Sequence, residues 1–136
     1  MAPAHTKPPL HDPGLRERRG RLRTRANPIA SSDCALRLSA RLSVAGLEAP
    51  LDMILLYVPG GQVLDEPSLQ DYASLLGVPD GGGLEDVAAK VAVDFSDVLL
   101  PRYIRLHLEV KTPRGHRLEA VLEDRQPGWT GQLPAF

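Results

Sequence analysis

A chain of 136 residues with 43% hydrophobic and 24% charged side chains has the length and balance of one globular domain, which excludes a fibrous or wholly disordered protein. The single cysteine, Cys34, excludes an intramolecular disulfide and a cysteine-based metal cage. The net charge of −1 is unevenly divided: residues 1–26 carry seven basic side chains against Asp12 and Glu17, and residues 27–136 carry nine basic and fifteen acidic ones.

Two broad expectations follow. No apolar run approaches the length of a membrane span and no apolar stretch follows the basic N-terminal residues, so a cytoplasmic protein without membrane contact is expected. A domain of this size buries only about two-thirds of the surface that its unfolded chain exposes, so association between subunits is expected to add stability.

Residues 1–26 contain four prolines and few large apolar side chains. They read as a basic, disordered arm preceding a domain over 27–136, because they offer too little burial to offset the entropy of ordering. Such an arm has two readings: a contact with nucleic acid through counterion release, or one with an acidic protein surface such as a neighbouring subunit.

From Leu36 to Val44 apolar and polar residues alternate, the pattern of a half-buried strand. The run Met53 to Val58 reads as a second, more fully buried strand, stopped by Pro59-Gly60-Gly61. Ser68 is placed to cap a short helix with Leu69, Tyr72, Leu75 and Leu76 on one face, Asp71 as an acceptor in its first turn and Gly77 as its stop.

After the glycine-rich joint Asp80-Gly81-Gly82-Gly83, the positions Leu84, Val87, Ala88, Val91, Phe95, Val98 and Leu99 recur at helical spacing until Pro101 ends a longer helix. Ile104, Leu106, Leu108 and Val110 alternate with charged residues, and Leu118, Ala120 and Leu122 repeat the pattern beyond Thr112-Pro113-Arg114-Gly115. The predicted fold class is α+β in the order ββααββ, a four-stranded antiparallel sheet with two helices on one face. His107 and His116 stand singly, without paired ligand spacing, so they read as surface histidines and no metal is expected. Tyr103 and Trp129 read as rings that pack on the sheet or stack on a base.

A series of short motifs in this frame resembles the 7-cyano-7-deazaguanine reductases, the nitrile reductase family of queuosine biosynthesis. It comprises Tyr57-x-Pro59, Ser68-Leu69 followed by Tyr72, Pro101-Arg102-Tyr103-Ile104, Thr112-Pro113-Arg114-Gly115 and Arg125-x-Pro127-Gly128, with a weaker match at Asn27-Pro28 and Gly46. The resemblance implies a tunnelling fold (T-fold), a role in tRNA modification, NADPH as cofactor, a purine-like or pterin-like ligand bound between subunits, and a homo-oligomer joined through sheet edges. It also implies a cofactor site around Ser68, Leu69, Gln70, Arg114 and Gly115, and a substrate site with Glu85 and Asp65.

The match departs from the family at its chemistry. Counting back from Pro59 places Leu42 at the family's nucleophilic cysteine and Ala49 at its proton-transferring aspartate. A leucine has no lone pair with which to attack a nitrile carbon, and an alanine has no proton to give. Gln70 replaces a lysine and brings no positive charge to a phosphate. Glu85 matches the glutamate that anchors the purine-like base, and a carboxylate is suited to a bidentate pair of N–H donors. The plainer role for Glu85 is to complement the helix dipole. Two functional readings remain: a divergent member of the reductase family, or a non-catalytic T-fold ligand-binding or partner subunit.

Overall fold

The computed structural model describes residues 14–79 and 81–133. A four-stranded antiparallel sheet has the order β2-β3-β5-β6, formed by β2 (Leu36–Leu42), β3 (Leu51–Val58), β5 (Tyr103–Lys111) and β6 (Arg117–Arg125). Its register is continuous: Leu42 faces Leu51, Asp52 faces Glu109, and Glu109 faces Glu119. The four strands fall where the sequence placed them, within two residues at each end except that β6 runs three residues past Leu122.

β3 is less enclosed than its apolar run suggested. Leu51, Met53, Leu55 and Tyr57 are buried on the helix-bearing face, whereas Asp52, Ile54 and Leu56 are only half-buried on the other. That second face also carries Arg41, His107, Glu109, Arg117 and Glu119, and no helix is needed to cover so polar a surface.

The long helix α3 (Leu84–Leu99) matches the predicted span, because Leu84, Val87, Ala88, Val91, Phe95 and Leu99 recur every three or four residues and all are buried. They join Leu51, Met53, Leu55, Leu106 and Leu108 in one core. Each such side chain contributes roughly 1.5–3 kcal/mol relative to leaving it in water. The helix ends on Leu100, a non-glycine residue in the left-handed region at φ 46°, before the buried Pro101.

The short helix α2 (Leu69–Ala73) is preceded by a 3₁₀ turn over Glu66–Ser68, and Ser68 does not cap it. The Ser68 hydroxyl instead accepts from the Arg23 backbone N–H at 3.0 Å and donates to the Asp65 carbonyl at 2.7 Å. The serine is spent on holding the preceding chain segment. Neither does α2 reach Gly77; it ends at Ala73 and continues as turns to Leu76.

The expected disordered arm over residues 1–26 requires correction where it is described. Residues 14–26 contain a helix, α1 (Leu15–Arg21), and a strand, β1 (Thr24–Ala26), that pairs with β4 (Gln62–Leu64) in a second, two-stranded sheet. The molecule therefore has three α-helices among the described residues, and the domain reaches at least to Gly14. The cause is electrostatic. Arg18 is buried and its guanidinium binds the buried Asp94 carboxylate of α3, with Nε at 2.5 Å and Nη2 at 3.2 Å. Arg19 adds bonds to Asp94 at 2.9 Å and to Asp97 at 2.8 Å, and Leu22 enters the core. Residues 1–13 lie outside the described part.

Candidate ligand site

One end of the main sheet carries Leu42, the loop with Ala49 and the hairpin with Arg114 and Gly115. The loop from Ser43 to Pro50 leaves β2 at Leu42 and enters β3 at Leu51, and the β5–β6 hairpin at residues 112–116 turns at the same end of the register. Gly77 forms a parallel bridge with Ala45, and the Val78 N–H donates to the Ala45 carbonyl at 3.1 Å, so the segment entering α3 is laid against this loop.

Gly46 makes that approach feasible. Its φ of +92° suits a residue without a side chain, and a Cβ added there would lie 3.0 Å from the Val78 Cβ. Within the loop, Val44, Leu47, Glu48 and Ala49 help line an open cavity of about 320 Å³.

Leu42 is buried and packed in the core, paired with Leu51. It presents only carbon to its surroundings. Ala49 lines the cavity and is half-buried, but its methyl group neither gives nor accepts a proton. Cys34 lies in the segment before β2, half-buried, while Leu42 ends that strand, eight residues later in the chain. The two positions are at opposite ends of β2.

Gln70, on α2, spans the same loop from the other side. Its amide nitrogen and oxygen lie 3.4 Å from the Ser43 carbonyl and N–H respectively, so the side chain clamps the loop's first residue. Ser68 and Leu69 are buried, with Leu69 in the core. Arg114 and Gly115 are exposed at the hairpin tip, where Gly115 takes a φ of +84°. The five residues expected around the cofactor are thus divided among a core position, a loop clamp and a hairpin.

Glu85 occupies the second position of α3 and is exposed. The work of closing the helix start falls to Asp86, whose carboxylate accepts the Gly83 N–H at 2.9 Å. Glu85 makes no hydrogen bond or ion pair to any described residue. Asp65 lies at the start of the 3₁₀ turn, with Arg25 Nε 3.8 Å from its carboxylate, and is committed to the β1–β4 side of the fold.

At the opposite end of the sheet, the Tyr103 and Trp129 rings lie 5.6 Å apart with the Arg125 guanidinium over both. The Tyr103 hydroxyl bonds Glu123, and Trp129 Nε1–H donates to Asp33 at 3.2 Å. These rings form a structural clasp, which resolves the choice between packing and base stacking in favour of packing.

No family model and no curated protein matches the sequence. Among solved structures, archaeosine synthase QueF-like in its apo form matches with a TM-score of 0.55, at 20% identity, over 76% of this chain and 99% of that one. The likeness establishes a shared fold: an α+β domain built on a four-stranded antiparallel sheet.

Proposed function

We propose that this protein is a divergent T-fold relative of the 7-cyano-7-deazaguanine reductases that binds a purine-like or pterin-like base and no longer reduces a nitrile through a thioimide. The observation that carries the reading is Glu85: exposed at the start of α3 with its capping task taken by Asp86, its carboxylate is free to accept two N–H donors. Support for ancestry comes from the fold shared with an archaeosine synthase QueF-like protein and from the series of motifs in the sequence. Support for the loss of chemistry comes from Leu42, which is sealed in the core, and from Ala49.

NADPH fits poorly in this reading. Gln70 carries no charge and is occupied in clamping Ser43, which leaves Arg114 as the one cation among the expected cofactor residues. A cytoplasmic location and a homo-oligomer assembled through sheet edges complete the proposal. The edge strand β6 is nine residues long, and Leu118 and Leu122 on it are exposed, as is Val93 on α3. An apolar groove of about 270 Å³ runs between that strand and α3, and such a surface beside an unpaired edge favours association.

The test is calorimetry with a panel of guanine, deazaguanine, pterin and adenine compounds, followed by an NADPH oxidation assay on any binder. A guanine-like edge should bind, and Glu85→Gln should weaken it by about 2–4 kcal/mol, because one acceptor becomes a donor facing a donor. Equal affinity for Glu and Gln at position 85 would remove the anchor. Nitrile-dependent NADPH consumption abolished by alkylation of Cys34 would overturn the loss of chemistry.

A further inference from the structure

The polar face of the sheet carries three adjacent carboxylates in one row. Asp52 on β3 faces Glu109 on β5, and Glu109 faces Glu119 on β6. Like charges directly opposite one another on a sheet repel. Asp52 is relieved by Arg41, which bonds it at 2.8 Å and holds its carboxyl below the usual range.

Glu109 and Glu119 have no guanidinium within hydrogen-bond distance. Arg117 Nε stands 3.7 Å from each, too far for a hydrogen bond, and the half-buried Glu109 carboxylate accepts no hydrogen bond from any described residue. One step along β5, on the same face, His107 brings Nε2 to 2.7 Å from the Glu119 carboxylate. The imidazole is flanked in register by Ile54 and Val121, which supply no competing polar atoms.

One ligand atom from each of His107, Glu109 and Glu119 lies within 4.8 Å of the other two. Residues two apart on one strand plus the cross-strand neighbour of one of them form a triangle on a rigid surface. Zinc bonds imidazole nitrogen and carboxylate oxygen at about 2.0–2.2 Å, so small side-chain rotations would close this triangle on one ion.

We propose that His107, Glu109 and Glu119 form a binding site for a divalent first-row transition metal, with Zn²⁺ as the fitting ion. One nitrogen and two oxygen ligands with an open outer side leave positions for water, and a nitrogen ligand disfavours Mg²⁺ and Ca²⁺. Two carboxylates neutralise the ion's charge, which removes the repulsion between strands β5 and β6. Arg117 is the competitor: it occupies the position of a cation now and must swing aside when the metal enters.

The site is tested by titrating untagged full-length protein with Zn²⁺ in a calorimeter, and with Co²⁺ monitored by visible absorption. One ion per chain is expected. His107→Ala and Glu119→Gln should each weaken binding roughly 10- to 100-fold or more, since even outer-shell partners of a metal carry that much. Arg117→Ala should tighten it, because a competing charge is gone, and His116→Ala should leave it unchanged. Zn²⁺ binding that survives His107→Ala, that is lost with His116→Ala, or that weakens in Arg117→Ala would overturn the proposal, as would the absence of saturable binding. The variants lie on an exposed sheet face, and circular dichroism identifies any that fails to fold. Glu109→Gln serves as the replacement.

Discussion

The Arg18 guanidinium and the Asp94 carboxylate form a buried ion pair that joins the first described helix to the middle of α3, with Nε 2.5 Å from Oδ2 and the side chains 3% and 0% exposed. The Tyr72 hydroxyl donates to the same carboxylate at 2.6 Å. Breaking such a pair leaves a charge stranded away from water, so Arg18→Ala and Asp94→Asn should each cost about 3–5 kcal/mol in urea unfolding. Replacing both partners with apolar residues of similar volume should recover much of that loss. Arg41→Ala, which breaks an exposed pair with Asp52, should leave the unfolding midpoint where it is.

All three tyrosines should resist ionisation while the fold persists. Burial raises the pKa of Tyr57 and Tyr72, the Asp94 carboxylate adding to the effect at Tyr72, and burial with the Glu123 carboxylate pushes Tyr103 up to about 12. A folded pKa above the unfolded value of about 10 stabilises the protein fully below pH 10 and is lost as pH rises through the folded value. Ultraviolet titration should therefore show less phenolate in folded protein at pH 10 than in the unfolded chain. Above that, phenolate should appear together with loss of the circular dichroism signal. An early phenolate in intact protein would mean that one ring is solvated.

Gly46→Ala probes the cavity loop. Its positive φ and the 3.0 Å approach to Val78 leave no room for a methyl group, and strain of this kind costs about 1–3 kcal/mol. Thermal unfolding should show that loss, and affinity for any base-like ligand should fall with it, because the Ala45–Gly77 bridge depends on the same approach. Unchanged ligand affinity in a destabilised variant would separate this loop from the ligand site.

Leu100→Gly should act in the opposite direction. A left-handed non-glycine residue costs about 1–2 kcal/mol, glycine gives back about 0.4–1 kcal/mol through its freer unfolded chain, and the Leu100 side chain is exposed. A net gain of roughly 0–1.6 kcal/mol is expected in chemical denaturation. A loss instead would show that the Leu100 side chain has a packing role.

Periodicity made the main sheet and α3 legible because each is decided by which side chains face the core, a choice visible within ten to twenty residues. The N-terminal segment was illegible for the opposite reason. Arg18 and Arg19 look like solvated charges until Asp94 is placed beside them, and that placement depends on a contact 76 residues away. Ser68 was misread because its hydroxyl was claimed by the Arg23 backbone rather than by α2. In the candidate site, the type of residue at 42, 49, 70 and 85 could be read from sequence, whereas the clamp formed by Gln70 and the freedom of Glu85 required the fold. His107 was set aside because no second histidine accompanied it. Its two carboxylate neighbours came from strand register, which spacing alone does not reveal.

The long separation between Arg18 and Asp94 also orders events during synthesis. The arginines leave the ribosome early, and their partner emerges only after four strands, α2 and most of α3 have been made. Contacts that close long loops form late. Until α1 docks, Asp94 has reason to stay in water, so the lower half of α3 should remain loosely attached while the adjacent β5–β6 hairpin already forms. Pulse-labelled hydrogen exchange on refolding protein would reveal this order as early protection of β5 and β6 and late protection of α1 and the Val91–Leu99 turns. The nascent chain would then complete its core by recapturing a segment made 76 residues earlier.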